Sequence, residues 1–167
     1  MRPLSVRSLS ARGIRNLGDL DLTFGAGFNV FSGDNGHGKT NLLEAIYVAL
    51  TSKSFRASKM TEMLAFGSDL GSVRVAIEED GQERHQSVGI KSGARVVRID
   101  DKRPPTLAAY AVRSPVVVFH PGEIALSMGS SRERRRLIDR LALYLFPESY
   151  AEGENYLRAT KERQRAL

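Results

Sequence analysis

The residues best suited to chemistry are Gly33-Asp34-Asn35-Gly36-His37-Gly38-Lys39-Thr40, which fit the spacing G-x-x-x-x-G-K-[ST]. Glycines at these positions let the backbone curl until successive N–H groups face one anion. The lysine can then reach the β- and γ-phosphates of a nucleotide, and the hydroxyl after it can ligate Mg²⁺. A helix starting here presents its positive end to the same anion. Gly33, Asp34, Asn35, Gly36, His37, Gly38, Lys39 and Thr40 are therefore expected to bind ATP with Mg²⁺, with Thr40 on the metal and His37 a plain exposed loop residue. A chance match is expected in about one chain of this length in a hundred, or fewer. The flanks are also those the loop requires, an apolar strand before it and an amphipathic helix after it.

Basic residues are the next candidates. Arg132, Arg134, Arg135, Arg136 and Arg140 form a cluster opposed by Glu133 and Asp139. Such a run can grip several DNA phosphates, with strong salt dependence. It can equally pair with carboxylates, a geometry that suits arginine. Both uses stay open. Lys53, Arg56 and Lys59 follow the first helix on a glycine-free polar stretch. Arg15 follows the first strand, where it could approach phosphates or merely aid solubility.

The elements that must position these residues follow from periodicity. Alternation at Leu4 and Val6, then at Leu20, Leu22 and Phe24, predicts two strands. Gly25-Ala26-Gly27 turns into a third, Phe28 to Phe31, which feeds the loop. Leu42, Leu43, Ile46, Tyr47 and Leu50 share one face of the helix behind it. A polar loop, Thr51 to Lys59, leads to a short helical stretch around Met60 to Phe66. Val73, Val75 and Ile77 alternate, Asp80-Gly81 signals a hairpin, and strands follow near Gln86 to Ile90 and Arg95 to Ile99. Arg98 interrupts that last run, so Val96 to Asp100 is no buried parallel strand ending in a metal-binding carboxylate, and Asp100-Asp101-Lys102 reads as a turn. Pro104-Pro105 breaks the pattern and Val116 to Phe119 reads as a compact buried strand. Ser130 with Glu133 makes a capping-box pattern. It opens a helix carrying Leu137, Ile138, Leu141 and Leu145, ended by Pro147. Glu148 to Leu167 looks helical, with few apolar anchors and no closing cap, and is expected to continue.

Composition sets bounds. The 167 residues are 41% hydrophobic and 26% charged, the balance of a globular domain with a real core. A net charge of +6 suits an anionic partner. The chain has no cysteine, which excludes disulfides and thiolate chemistry, and its three histidines are scattered. The N-terminus lacks a signal-peptide core, and the longest aliphatic run is far short of a membrane span, so a cytoplasmic location is expected.

Several segments together resemble the RecF family of DNA repair ATPases. Gly13-Ile14-Arg15-Asn16-Leu17 resembles its FRN opening, with Ile14 in place of an aromatic residue. GDNGHGKTNLLEAIYVAL is similar to GxNxxGKTNLLEAIY, and Lys53-Ser54-Phe55-Arg56 to K-S-[FH]-R. Val117 to Leu126 resembles VxFxPEDLxLV, with Gly122 and Glu123 replacing the usual Glu-Asp. Gly129 to Asp139 resembles GxPxxRRRFLD. These segments stand in family order over nearly the whole chain.

The resemblance implies an α/β, P-loop fold like the ABC/SMC head. Its first lobe, residues 1–128, would hold the phosphate loop on a mixed, largely antiparallel sheet, and residues 129–167 would start a helical lobe. It implies ATP-controlled homodimerisation and binding to single-stranded or gapped DNA. It also implies recombinase loading with RecR and RecO partners, in recombinational repair and the SOS response. Arg15, Arg56 and Glu123 become possible nucleotide or DNA contacts, and Arg132, Arg134, Arg135 and Arg136 possible DNA contacts. For Glu123, a favourable charge in a helical first turn explains the residue as well. The 167 residues contain neither an LSGGQ-like signature nor a four-apolar strand ending in Asp-Glu. ATPase activity is thus expected of the family, while this chain alone should bind nucleotide without turning it over. A small phosphotransferase with an acceptor pocket, and a nucleotide- or DNA-binding module without turnover, are the alternatives.

Overall fold

The computed structural model describes residues 4–91, 94–123, 130–146 and 149–166. The chain divides into two compact units, Met1–Val116 and Val117–Leu167.

In the first unit, apolar alternation builds a five-stranded sheet in the order β2-β1-β3-β4-β5. The strands are β1 (Leu4–Arg12), β2 (Leu20–Thr23), β3 (Leu70–Glu79), β4 (Gln82–Lys91) and β5 (Ala94–Ile99). Every pairing is antiparallel. In β1 the apolar phase changes, from Leu4 and Val6 to Leu9 and Ala11. A bulge between Val6 and Ser8 absorbs the extra residue, so both pairs serve the same face. Asp80 and Gly81 turn β3 into β4 with φ of 54° and 76°, as a two-residue hairpin demands. Asp100 and Asp101 also have positive φ, and Ile99 and Lys102 exchange backbone hydrogen bonds, so this stretch is a turn as expected.

One sheet face buries Leu9, Ala11, Val73, Val75, Ile77, Val88, Ile90 and Val97 in a core shared with Leu42, Ala45, Val48 and Ala49. The last four lie on α1 (Lys39–Thr51). The row Ser10, Arg74, Ser87, Arg98 crosses the sheet on the other face. A short helix not expected from sequence, α2 (Leu107–Val112), starts just after Pro104-Pro105. Its N-cap Thr106 accepts from the Ala109 N–H through its hydroxyl. Tyr110 is fully buried and donates to the Ala49 carbonyl, tying α2 to the end of α1. Burial raises its phenol pKa well above the ordinary value. Arg84, also buried, donates to Glu79, Gln86, the Arg113 carbonyl and Ser114, joining β4 to the end of α2.

Two expected strands are not strands. Phe28 to Phe31 pairs with no strand, and Phe28 and Val30 are fully or largely exposed. The loop before it is closed by Asn29, whose side chain bonds Gly25 and Gly27. Val116 to Phe119 is likewise unpaired; only Val116 touches the core, while Val117 and Phe119 are exposed. An extended segment becomes a strand only when a neighbour satisfies its N–H and C=O groups. β1 to β5 pair with one another, and neither segment pairs with the edge strands β2 and β5. The described sheet is therefore wholly antiparallel, and the parallel part expected of a mixed sheet is not formed among the described residues.

Among the described residues the second unit holds a 3₁₀ turn (Pro121–Glu123) and two helices, α3 (Ser131–Leu145) and α4 (Ser149–Ala166). Ser130 is the N-cap of α3, but its side chain makes no capping bond, so the expected capping box is not formed. Leu137, Ile138, Leu141 and Leu145 are exposed. Pro147 and the side chains of Glu123, Arg132, Glu133 and Arg136 lie outside the described residues. Among the described residues no helix is long and apolar enough to cross a membrane.

Candidate functional site

The site is built where Phe31 leaves the core edge and the chain curls into α1. Gly33, Gly36 and Gly38 have φ of 144°, 87° and 92°, conformations that side-chain-bearing residues rarely adopt. At Gly33 and Gly36 a Cβ would meet nothing within 4 Å, so backbone conformation alone calls for glycine. At Gly38 a Cβ would also meet Asn16 Oδ1 at 3.1 Å. Gly38 is the N-cap of α1, and its carbonyl receives the Leu42 N–H at 2.8 Å. The first turn of α1 contains no acidic residue, which leaves its positive end uncompensated. Lys39 Nζ donates to the carbonyls of Gly33 and Asp34, both at 2.7 Å, and so spans the loop. Thr40 is exposed in the same turn, and His37 is exposed as expected. A hollow of ≈ 460 Å³ beside the loop is lined by Asn16, Leu17, Leu20, Leu22, Phe31, His37, Gly38, Lys39 and Leu42. A larger one, ≈ 770 Å³, opens around Gly13, Leu70, Gly89 and Val96, with no part of the loop in its lining. The smaller hollow is the one with chemistry beside it.

The structure brings Arg15 and Arg56 together, on a residue the sequence did not single out. Glu44 of α1 is fully buried, 0% exposed. Arg15 Nη2 lies 3.2 Å from its Oε1, Arg56 Nη2 lies 3.4 Å from its Oε2, and Ser54 donates a short hydrogen bond to Oε1. Arg15 adopts φ 48°, uncommon outside glycine, and its N–H bonds the Met63 carbonyl at 2.9 Å. This turn carries Arg15 to Glu44 and Asn16 to the phosphate loop. Arg56 also donates to Asn41 Oδ1 at 2.9 Å, Asn41 donates to Asn16 Oδ1 at 2.7 Å, and Asn16 donates to the Gly36 carbonyl at 3.0 Å. The polar loop after α1 thus reaches the phosphate loop through side-chain amides. Among the described residues no group of three or more His, Cys, Asp or Glu could hold a metal. The metal-binding group on offer is the Thr40 hydroxyl, which fits an ion that takes most of its oxygens from a nucleotide and water.

Residues 8–159 match the AAA domain family. The chain belongs to that family. Within it the chain is RecF-like. It is 35% identical over 164 residues to the DNA replication and repair protein RecF of Anaeromyxobacter sp. (strain Fw109-5), covering 98% of this chain and 44% of the relative. RecF of Geobacter sp. (strain M21) is 39% identical over 132 residues, 79% of this chain and 36% of the relative. Among solved structures, RecF-ATP, described as the recombination mediator protein of the RecFOR pathway, superposes with a TM-score of 0.87 at 25% identity. That match covers 95% of this chain and 44% of that one. An SMC ATPase, from work on ATP-driven dimerization and DNA stimulated activation, shares the fold with a TM-score of 0.63 at 24% identity, over 81% of this chain and 98% of that one. The chain spans less than half the length of the curated RecF relatives it matches.

Within this AAA domain the other candidates fall in different places. Asp100 closes the β5 turn, where it receives the His85 N–H at 2.7 Å, a structural role. Glu123 lies outside the described side chains. Arg134, Arg135 and Arg140 are exposed on α3, and the Arg132 and Arg136 side chains are not described. Glu44, Asn16 and Asn41 were missed. An acid at position 44 sits between the apolar residues Leu43 and Ala45, where amphipathicity predicts a solvated charge. In fact Leu43 is 47% exposed and Glu44 is inside, because two guanidiniums and a hydroxyl compensate it there. The presence of Arg15 and Arg56 in the sequence was the only signal, and it did not name their partner.

Proposed function

We propose that this AAA domain binds Mg-ATP through Gly33–Thr40 and serves as the nucleotide-binding lobe of a RecF-type ATPase in recombinational DNA repair. The observation that carries the reading is the loop itself. Glycines with positive φ, a helix N-terminus free of acids and a lysine across the mouth form one anion-binding concavity. Lys39 turns from the carbonyls of Gly33 and Asp34 toward the β- and γ-phosphates. Thr40 would hold Mg²⁺ beside the nucleotide, where the ion would supply charge neutralisation for phosphoryl transfer. Arg15 and Arg56 add positive charge nearby. The lobe is proposed to take in residues 1–128, and residues 129–167 to start a helical one.

DNA with single-stranded gaps is the proposed macromolecular partner, with RecR- and RecO-type proteins and an ATP-dependent homodimer, in the cytoplasm. The net charge of +6 and exposed Arg134 and Arg135 support a DNA contact that includes Arg132 and Arg136. The groups that orient the attacking water are proposed to lie outside these 167 residues, since the chain has no signature motif and no Asp-Glu strand.

Phosphate release tests the reading. The 167 residues alone should release phosphate from Mg-ATP at background rate, equal to the Lys39→Ala variant. Lys39-dependent release would place a catalytic carboxylate inside this chain and favour a phosphotransferase. For DNA, Arg135→Ala should lower the slope of log affinity against log salt by about one. An unchanged slope with a lower melting temperature would assign the arginines to internal pairing.

A further inference from the structure

We infer that Asn16 is a positioning residue for the phosphate loop, oriented by a one-way hydrogen-bond relay that starts at Arg56, itself ion-paired with buried Glu44. The inference rests on the proposed nucleotide site and adds the device that fixes its loop.

The direction of the relay follows from donor and acceptor inventories. Arg56 carries only donors, so the Asn41 atom facing it must be the carbonyl oxygen. Asn41 then turns its NH₂ toward Asn16, at 2.7 Å. Asn16 must meet that donor with its oxygen, which leaves its own NH₂ for the Gly36 carbonyl, at 3.0 Å. Side-chain amides are ambiguous in isolation, but here each orientation is dictated by its neighbour. The polarity originates at Arg56, which the Glu44 carboxylate holds at 3.4 Å, braced by Ser54 and Arg15.

The end of the relay matters because of what it grips. Gly36, with φ 87° and no Cβ, allows its following peptide to rotate more freely than any other residue would. The opposing restraint is weak, a His37 N–H to Asp34 carbonyl contact of 3.4 Å. In a trans peptide the carbonyl and the next N–H point in opposite directions. Pinning the Gly36 carbonyl to Asn16 therefore fixes where the His37 N–H points. That N–H belongs to the loop that must converge on phosphate. A preorganised loop binds more tightly because the ordering cost is met before the ligand arrives.

The discriminating variant is Asn41→Asp, at a side chain bonded to Asn16 and Arg56. It keeps an acceptor for Arg56 but offers Asn16 a second acceptor. Asn16 must then turn its NH₂ toward residue 41 and its oxygen toward the Gly36 carbonyl. The probes are the Gly36 carbonyl and His37 amide resonances of the ligand-free chain, with relaxation dispersion, and Mg-ATP affinity by calorimetry. Asn41→Asp and Asn16→Ala should move the Gly36 carbonyl resonance in the same direction and introduce dispersion at His37. Asn16→Ala should also weaken Mg-ATP about tenfold; Asn41→Asp adds a carboxylate to the first turn of α1 and is judged on the resonances. Unmoved Gly36 and His37 resonances in Asn41→Asp would overturn the inference, as would unchanged Mg-ATP affinity in Asn16→Ala. If the unaltered chain does not bind Mg-ATP, the nucleotide reading fails and the resonances alone decide the relay. If Asn16→Ala does not fold, Asn41→Asp decides it.

Discussion

Gly13 sets the turn that delivers Arg15 and Asn16 to the site, and its replacement by alanine has a cost that can be worked out. Its φ is +59°, and an added Cβ would press into the Leu70 backbone carbonyl, with Ser68 Oγ at 3.3 Å and the Gly71 Cα at 3.5 Å. The left-handed conformation alone costs alanine about 1–2 kcal/mol. Relieving the clash requires the turn and β3 to move apart, an overpacking cost of about 1–3 kcal/mol. Gly18 is the matched control, because its φ is +63° but a Cβ there meets nothing within 4 Å. Gly18→Ala should therefore lose about 1–2 kcal/mol and Gly13→Ala about 2–5 kcal/mol. At this chain length the corresponding falls in Tm are roughly 2–8 °C and 4–20 °C. Urea unfolding of the two variants, with thermal melts beside it, measures the difference directly. Equal losses would refute the close approach of Gly13 to β3 and, with it, the account of how Arg15 and Asn16 are placed.

Arg84→Ala should destabilise the chain by about 3–5 kcal/mol, because it strips a buried cation from Glu79, Gln86, Ser114 and the Arg113 carbonyl; a loss below about 1 kcal/mol in urea unfolding would contradict that network. Ser52 ends α1 with φ 58° and a buried hydroxyl that has no hydrogen-bond partner, so Ser52→Gly should raise stability by about 0.5–1 kcal/mol, seen as a higher urea midpoint. A lower midpoint would show that the hydroxyl is satisfied. The Arg12 side chain, hydrogen-bonded to Asp21 across β1 and β2, lowers the Asp21 pKa. Its contribution is therefore present above the ordinary aspartate value of about 3.9 and lost as pH falls through the lower folded value. A carboxyl titration by NMR should place the Asp21 midpoint below that of Arg12→Ala, and coincident midpoints would remove the pair.

Much of this was legible in sequence for physical reasons. The phosphate loop declared itself because three of its backbone conformations admit little but glycine, and the hairpin at Asp80-Gly81 because positive φ is written in residue type. β1, β3, β4 and β5 showed their period. What failed depends on partners distant in sequence. Phe28 to Phe31 and Val116 to Phe119 have strand composition, but pairing, not composition, makes a strand. The α2 helix is too short to carry a period, and only Thr106 after the prolines announced it. Glu44 was hidden because helix periodicity assigns acids to solvent, whereas Arg15 and Arg56 approach it from 29 residues before and from the loop beyond.

The central claim is that Gly33–Thr40 binds Mg-ATP through Lys39, and calorimetric titration of Mg-ATP into the chain and its Lys39→Ala variant tests it most directly. Removing a charged partner of the phosphates should cost about 1.5–3 kcal/mol, roughly a ten- to hundredfold loss of affinity. Circular dichroism should stay unchanged, because Lys39 contacts only loop carbonyls among the hydrogen bonds described here. Equal affinities for the two proteins, or no binding by either, would contradict the account.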